Sequence, residues 1–255
     1  MNSDTPERVD IFGVQVCVTT YEDAAKRIIE AGAQKRSFTM SALATHGLME
    51  AVHDPAFRDV VNGLDLATPD GQPVRWAMNI LHKVGLEERV YGPELTWRVC
   101  GAAAEAGIGI YLYGSTPETG EAFVAAILNE WPHAIISDVQ PDRFREATPE
   151  EDAEDIERIN KSGAGIVLVG RGCPRQEKWV GAHKGTVNAA MMAVGAAFDY
   201  HAGQLKKPPA VMQKYGLEWV WRLALEPRRL FKRYAVTNSQ YVVALAKAVV
   251  KRPRT

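Results

Sequence analysis

The sequence predicts an α/β protein with a Rossmann-like, mostly parallel sheet flanked by helices, followed by a helical, basic C-terminal appendage. Short apolar runs rich in β-forming residues alternate with helical patterns over the first 205 residues, which is typical of a parallel sheet wrapped by helices. Beyond Lys207 the pattern becomes helix alone. We therefore assign 1–205 to an α/β core and 206–255 to the appendage.

The first half of the core contains two predicted strands, each leading into a helix. "SFTMSAL" (37–43) is followed by a helix over about 46–62. The brief strand "LDLAT" (64–68) is followed by a helix after "PDGQP".

The second half of the core has the pattern of consecutive βαβ crossovers. One helix begins at Pro117. The next, over 148–163, has capping-box spacing between Thr148 and Glu151, and Gly163 suits the position just after its end. The helix after that begins within "GRGCPRQEKW" at 170–179. The strands predicted around these helices are 108–115, 134–139, 164–169 and 189–194.

Composition and cysteine usage narrow the class of protein. The chain has 255 residues, of which 46% are hydrophobic and 24% charged, so a soluble, folded protein is expected rather than a disordered or fibrous one. Its start, "MNSDTPERVD", lacks the basic and apolar regions of a secretory signal, which predicts a cytoplasmic location. Cys17, Cys100 and Cys173 are widely spaced and form no CxxC pair, so neither a disulfide framework nor a zinc site is expected.

The predicted appendage concentrates positive charge. Residues 206–255 carry twelve Lys and Arg against two acids, a balance of +10, whereas residues 1–205 carry 18 bases against 29 acids, a balance of −11. Trp219 and Trp221 accompany the basic cluster "RRLFKR", a mixture used for nucleic acids and for lipid headgroups. The apolar run "YVVALAKAVV" is too short to span a bilayer, but it could lie on one. A solvated helical face would also be basic, but a one-sided charge of this size predicts that the partner is a phosphate group, a nucleic acid or an anionic membrane.

Three predicted loops lie at carboxyl ends of strands, where α/β sheets bind ligands. None contains GxGxxG or a Walker P-loop, which disfavours a classical dinucleotide fold. Gly114, Gly170 and Gly172 could let the backbone approach a pyrophosphate or sugar, although each glycine taken singly fits an ordinary turn. The loops are "TPDGQ" (68–72), "YGSTPE" (113–118) and "GRGCPRQE" (170–177).

Asp70 is the principal candidate for acid–base chemistry. Its position between a strand and a helix also fits an N-cap or turn aspartate. A carboxylate in an otherwise apolar stretch can instead serve as a general base. No DxD pair occurs, so the carboxylate pair that would hold Mg²⁺ or Mn²⁺ on a nucleotide diphosphate is not evident.

Six motifs in order resemble the WecG/TagA/CpsF family of bacterial glycosyltransferases, over roughly Val9 to Tyr234. Each motif alone is weak, but six in register make the resemblance specific. They are "PDGQPVRWA" (69–77), "RVYGPEL" (89–95), "YLYGSTPE" (111–118), "VGRGCPRQEKW" (169–179), "VGAAFDYHAG" (194–203) and "GLEWVWRLALEPRRLFKRY" (216–234).

The resemblance implies an inverting, metal-independent transferase that needs no cofactor and uses a UDP-sugar as donor. The transferred sugar would be N-acetylmannosamine-like, its uronate or another hexose. The acceptor would be a sugar on polyprenyl pyrophosphate, in cell-surface polysaccharide or teichoic-acid-type biosynthesis. The implied partners are therefore the UDP-sugar, the lipid-linked sugar and the anionic inner face of the cell membrane, with no nucleic acid; homo-oligomerisation is left open.

The resemblance also assigns roles to residues. Asp70 matches the proposed general base for the acceptor hydroxyl, and Arg222 and Arg229 match tail cations that stabilise the leaving diphosphate. A cation can replace a metal there because it too offsets developing negative charge. Pro174 is expected at position N1 of its helix, and Gln176 is expected to bind a sugar or uracil group. The full set of substrate-binding candidates is Thr45, His46, Gly71, Arg89, Gly114, Gly170, Gly172, Pro174, Gln176, Glu177, Lys232 and Arg233.

Three positions, in two places, depart from the family pattern. The family's first strand usually ends in Thr-x-Asn, but Leu43 and Thr45 occupy these positions here. Thr45 would supply a hydroxyl in place of the amide, with His46 adjacent, so the bound sugar could differ from that of other members. Glu94 stands where aspartate is common.

Two other classes of function compete with a transferase. The basic tail would also suit a non-catalytic module that binds nucleotides or nucleic acid. An NAD-dependent sugar-modifying enzyme would need a dinucleotide fingerprint, which the sequence lacks.

Overall fold

The computed structural model describes residues 5–251, apart from the side chains of Ala210, Lys214, Arg229 and Arg233. Its strands are β1 (Arg8–Ile11), β2 (Val14–Cys17), β3 (Phe38–Leu43), β4 (Leu66–Pro69), β5 (Ile110–Gly114), β6 (Ile136–Gln140), β7 (Ile166–Gly170) and β8 (Ala190–Ala193). Its helices are α1 (Tyr21–Ala33), α2 (Thr45–His53), α3 (Pro55–Gly63), α4 (Gln72–His82), α5 (Gly92–Glu105), α6 (Pro117–Glu130), α7 (Pro149–Lys161), α8 (Arg175–Ala182), α9 (Ala197–His201), α10 (Ala210–Lys214), α11 (Glu218–Leu225) and α12 (Pro227–Lys251).

Six strands form one parallel sheet in the order β4-β3-β8-β7-β5-β6, which confirms the predicted fold class. The central strands β7 and β8 are almost continuously apolar and buried. Such runs are expected where helices cover both faces of a parallel sheet. The carboxyl ends of neighbouring strands therefore meet along a single edge, and the loops that follow them can converge on one ligand.

Local sequence signals explain both a confirmed helix and two corrections. The predicted capping box of α7 is present, with Thr148 and Glu151 bonding reciprocally. The prediction of a single helix over 46–62 is wrong, because the structure has two helices there, α2 and α3. The chain breaks at Asp54, whose side chain accepts hydrogen bonds from the first N–H groups of α3, and Pro55 is the first residue of α3. Pro174 is the N-cap of α8 rather than its N1 residue, and its peptide bond with Cys173 is cis.

A β-hairpin, β1–β2, precedes the sheet and was not predicted. Its two turn residues, Phe12 and Gly13, both have positive φ, as a type I′ turn requires. The Phe12 ring lies 5.9 Å from the ring of Tyr241 in α12. The hairpin thus forms part of the surface on which the C-terminal helix packs.

After a non-helical stretch at 206–209, the described part of the appendage consists of α10, α11 and α12, the last of which begins at Pro227. One face of α12 is buried through Leu230, Thr237 and Tyr241, whose spacing of seven and four residues keeps them on one side of a helix. The Tyr241 hydroxyl donates a hydrogen bond to the carbonyl oxygen of Pro73 in α4. No helix within residues 5–251 has the length and apolarity needed to cross a membrane. The division into a core (1–205) and an appendage (206–255) stays a prediction.

Candidate active site

A cleft of about 460 Å³ lies at the carboxyl edge of the sheet, and α11 and α12 close one side of it. Its walls come from the loops after β3, β4, β7 and β8 and from the appendage. The two regions predicted from sequence therefore share one cavity. The sequence-predicted residues that line it are Thr45, His46, Asp70, Gly71, Arg89, Gly170, Gly172, Gln176, Glu177 and Arg222.

Other predicted site residues lie elsewhere. Gly114 packs against Gly170 of the neighbouring strand β7. A Cβ on Gly114 would come within 2.5 Å of the Gly170 carbonyl oxygen, so a glycine here allows the two strands to approach closely. Pro174 does not line the cleft, and Lys232 is exposed. The side chains of Arg229 and Arg233 lie outside the described residues.

Asp70 follows β4 directly and is fixed on both sides. Its N–H donates to the Leu43 carbonyl oxygen at 3.3 Å, which ties it to the end of β3. Its Oδ1 accepts a hydrogen bond of 2.7 Å from the N–H of Gly92, the first residue of α5. The carboxylate therefore caps a neighbouring helix with one oxygen. Among the described residues no donor is within hydrogen-bond distance of Oδ2.

The surroundings of Asp70 bring its pKa towards neutrality. Burial raises the pKa of this carboxyl to about 6, and the negative charge of Glu218 acts in the same direction. Arg89, the Gly92 N–H and Arg222 oppose the rise. A carboxylate with such a pKa is largely ionised at neutral pH, yet it is a stronger base than an exposed aspartate.

Arg89 is buried and bound to the appendage. Its two terminal nitrogens, Nη1 and Nη2, pair with the two carboxylate oxygens of Glu218, the first residue of α11. Its guanidinium also lies 4.3 Å from the centre of the Tyr91 ring. Sequence reasoning missed Glu218 as a site residue. The available signal was that Glu218 is one of two acids in a segment whose charge balance is +10. Glu218 lies 129 positions from Arg89 in the chain.

Arg222 brings a second cation to the cleft, one turn further along α11. Its Nη2 lies 3.5 Å from Oε2 of Glu226. Its Nε is buried and has no hydrogen-bond partner among the described residues. Arg222 thus keeps donors that a phosphate group could accept.

The turn after β7 is held by Gln176 and Glu177. Gln176 Oε1 accepts from the Gly172 N–H at 3.1 Å, and its Nε2 donates to Glu177 Oε1 at 2.9 Å. Ser41 in β3 donates to the same Glu177 oxygen at 3.2 Å. Burial raises the pKa of Glu177. These bonds fix the orientation of the Gln176 amide at the cleft wall.

Comparison with known protein families gives the family of the whole chain. Residues 9–255 match the model of the glycosyl transferase WecG/TagA/CpsF family. The chain belongs to this family. The resemblance carried by the six motifs is confirmed over nearly the whole chain, and glycosyltransferase activity is supported in general terms. A non-catalytic nucleic-acid module is correspondingly disfavoured.

Within the WecG/TagA/CpsF fold, the departing position Thr45 lies at the cleft wall. A Cβ on Gly71 would come within 3.3 Å of Thr45 Oγ1, so the loops after β3 and β4 touch at this point. The neighbouring His46 is within 3.7 Å of Glu50 on α2. Glu94, the other departure, pairs with Arg98 at 3.0 Å on α5.

The part of the chain that the structure describes contains no group of side chains suited to bind a metal ion. No three His, Cys, Asp or Glu side chains there converge closely enough to hold a metal ion.

Proposed function

We propose that the protein transfers a sugar, with inversion, from a UDP-sugar to a sugar carried on polyprenyl pyrophosphate, in cell-surface polysaccharide biosynthesis. One observation carries the proposal: Asp70, with a pKa of about 6, shares one cleft with Arg89 and Arg222. Asp70 suits a base, and Arg222, whose Nε has no partner among the described residues, suits a diphosphate. The identity of the sugar is part of what the experiment below must determine.

In the proposed reaction, a hydroxyl oxygen of the acceptor attacks C1 of the donor sugar. The bond between C1 and the diphosphate oxygen breaks, and UDP leaves with the electron pair. The acceptor proton passes to the Asp70 carboxylate, whose Oδ1 stays bonded to the Gly92 N–H. Arg222, which has unused donors, offsets the charge that develops on the diphosphate.

We further propose that neither a metal nor a cofactor takes part, because Arg222 supplies positive charge where the diphosphate would lie. A metal-independent transfer can be distinguished from a metal-dependent one by its response to a chelator. Activity should persist in excess EDTA and should not rise with added Mg²⁺ or Mn²⁺.

The appendage is proposed to rest on the inner face of the cell membrane. Phe231 and Val242 of α12 are 65% and 63% exposed, and Trp76 of the neighbouring α4 is 37% exposed. Together with the +10 charge, this surface combines apolar and basic groups as interfacial helices do. Such contact would bring the cleft to a lipid-linked acceptor.

A thermal-shift screen tests the donor class. At about 100 times its dissociation constant, a ligand should add roughly 2.7 kcal/mol to the free energy of unfolding. We expect UDP and one or more UDP-sugars to raise the Tm, whereas matched GDP- and ADP-sugars should not. A protein that responds to no uridine nucleotide would contradict the proposed donor.

A further inference from the structure

The ion pair between the appendage and the body has a consequence for the base. We propose that Glu218 is a positioning residue. When the appendage docks, the Glu218 carboxylate binds the Arg89 guanidinium, which would otherwise compensate the charge of Asp70. Asp70 is then a stronger base than it is without the appendage. This inference rests on the proposed role of Asp70.

The geometry of the pair supports a specific rather than an incidental contact. Both terminal nitrogens of Arg89 meet both carboxylate oxygens of Glu218. The side chains are only 7% and 16% exposed. Two-point pairing of this kind fixes orientation, and burial removes the screening that weakens surface pairs. Docking of α11 therefore determines which carboxylate holds the guanidinium.

Arg89 lies in the field of two carboxylates, Glu218 and Asp70. Among the described residues, the charged or titratable groups near Asp70 are Arg89 and Arg222, Glu218, and the two phenols Tyr21 and Tyr91. The Gly92 N–H is the hydrogen-bond donor to it. Burial is the largest cause of the raised pKa of Asp70, Arg89 is the largest opposing cause, and Glu218 adds to the rise.

Removal of the Glu218 charge should lower the basicity of Asp70 by two routes. Arg89 would keep a buried positive charge with Asp70 as its remaining carboxylate neighbour, which favours the ionised form of Asp70. A loosened appendage would also let water reach Asp70, which lowers the pKa again. Loosening would also move Arg222 away from Asp70, which acts in the opposite direction, but burial is the largest cause of the raised pKa, so the expected net change is a fall. The appendage would then switch on the base only when it closes the cleft.

The test uses the full-length protein with Glu218→Gln, which keeps the shape and one acceptor for Arg89 but removes the charge. The first readout is the pKa of Asp70, from the pH dependence of its carboxyl ¹³C shift without substrate, assigned with Asp70→Asn. The second is the acid limb of kcat/KM with a soluble acceptor. We expect both to fall from about 6 in the wild type by on the order of one pH unit.

Tyr241→Phe is the matched control, because it removes a docking hydrogen bond of the appendage without changing its charge. An equal fall in this variant would assign the effect to loosening and overturn the role of the Glu218 charge. An unchanged Asp70 pKa in folded Glu218→Gln would overturn the inference alone. If the Asp70 pKa falls while the acid limb of kcat/KM does not shift, the effect of Glu218 on Asp70 is supported, but Asp70 is not the general base.

Discussion

The body and the appendage contribute to the cleft in different ways. In the body, Asp70 and Gln176 are held by backbone groups and by buried side chains at the ends of parallel strands. In the appendage, α11 has no buried residue, and much of α12 is exposed. The appendage contacts the body through the buried face of α12, the Arg89–Glu218 pair and the Tyr241 hydrogen bond.

This difference indicates a division of labour. The body can hold Asp70, the proposed base, and the turn at Gln176 in fixed positions, as a preorganised site requires. The appendage supplies positive charge and an exposed apolar surface, and one face of α12 packs on the body. Predictions that separate the two regions are therefore the most informative.

The largest effect is expected from Asp70→Asn, which should lower kcat by about 10²- to 10⁴-fold. The amide oxygen can still accept from the Gly92 N–H, so the fold should persist, but the amide cannot take the acceptor proton. Steady-state kinetics together with a thermal melt check this. The exposed Asp59→Asn is a control, and near-normal turnover in folded Asp70→Asn would remove Asp70 from the mechanism.

Arg222→Gln should lower kcat by roughly 10²-fold, because it removes a cation from the position proposed for the leaving diphosphate. The matched control is Arg228→Gln, which removes the same charge from an exposed position of the appendage. Both variants should be assayed with a short, water-soluble acceptor, so that membrane binding does not enter. Equal losses in the two variants would show that only the net charge of the appendage counts.

A smaller effect is expected at the exposed apolar face of α12. Replacing Phe231 and Val242 together by Ser should weaken binding to anionic vesicles on the order of tenfold, because two apolar side chains no longer enter the interface. Vesicle sedimentation measures this. Transfer to the soluble acceptor should stay at the wild-type rate; a parallel loss of transfer would mean that this face also shapes the cleft.

The smallest effect is expected from Tyr241→Phe. Loss of its hydrogen bond to the Pro73 carbonyl should reduce the free energy of unfolding by about 1 kcal/mol, while the ring contact with Phe12 is kept. Urea denaturation checks this value. A loss several times larger would indicate that the appendage and body unfold as one tightly coupled unit.

The sequence predicted the elements whose signals are local. The capping box of α7 and the apolar strands β7 and β8 depend on neighbouring residues, and the structure confirms them. The division between α2 and α3 has an equally local cause, because Asp54 and Pro55 form a strong helix start that is readable in the sequence.

Other features depend on contacts distant in sequence. The Arg89–Glu218 pair joins residues 129 positions apart, and no local pattern indicates it. The β1–β2 hairpin turns at Phe12, a residue that seldom adopts positive φ, although the following Gly13 and the alternating apolar residues were a usable signal. The pKa of Asp70 likewise depends on burial and on charges brought together only by the fold.

The central claim is that body and appendage form one active site, and deletion of residues 207–255 tests it most directly. The deleted chain should first be shown to unfold cooperatively. We predict that it then transfers sugar to a soluble acceptor at least ~10²-fold more slowly than the full-length protein, because Arg222 and Glu218 are gone. Transfer at the full rate by a folded body would contradict the claim and leave the appendage as a membrane anchor.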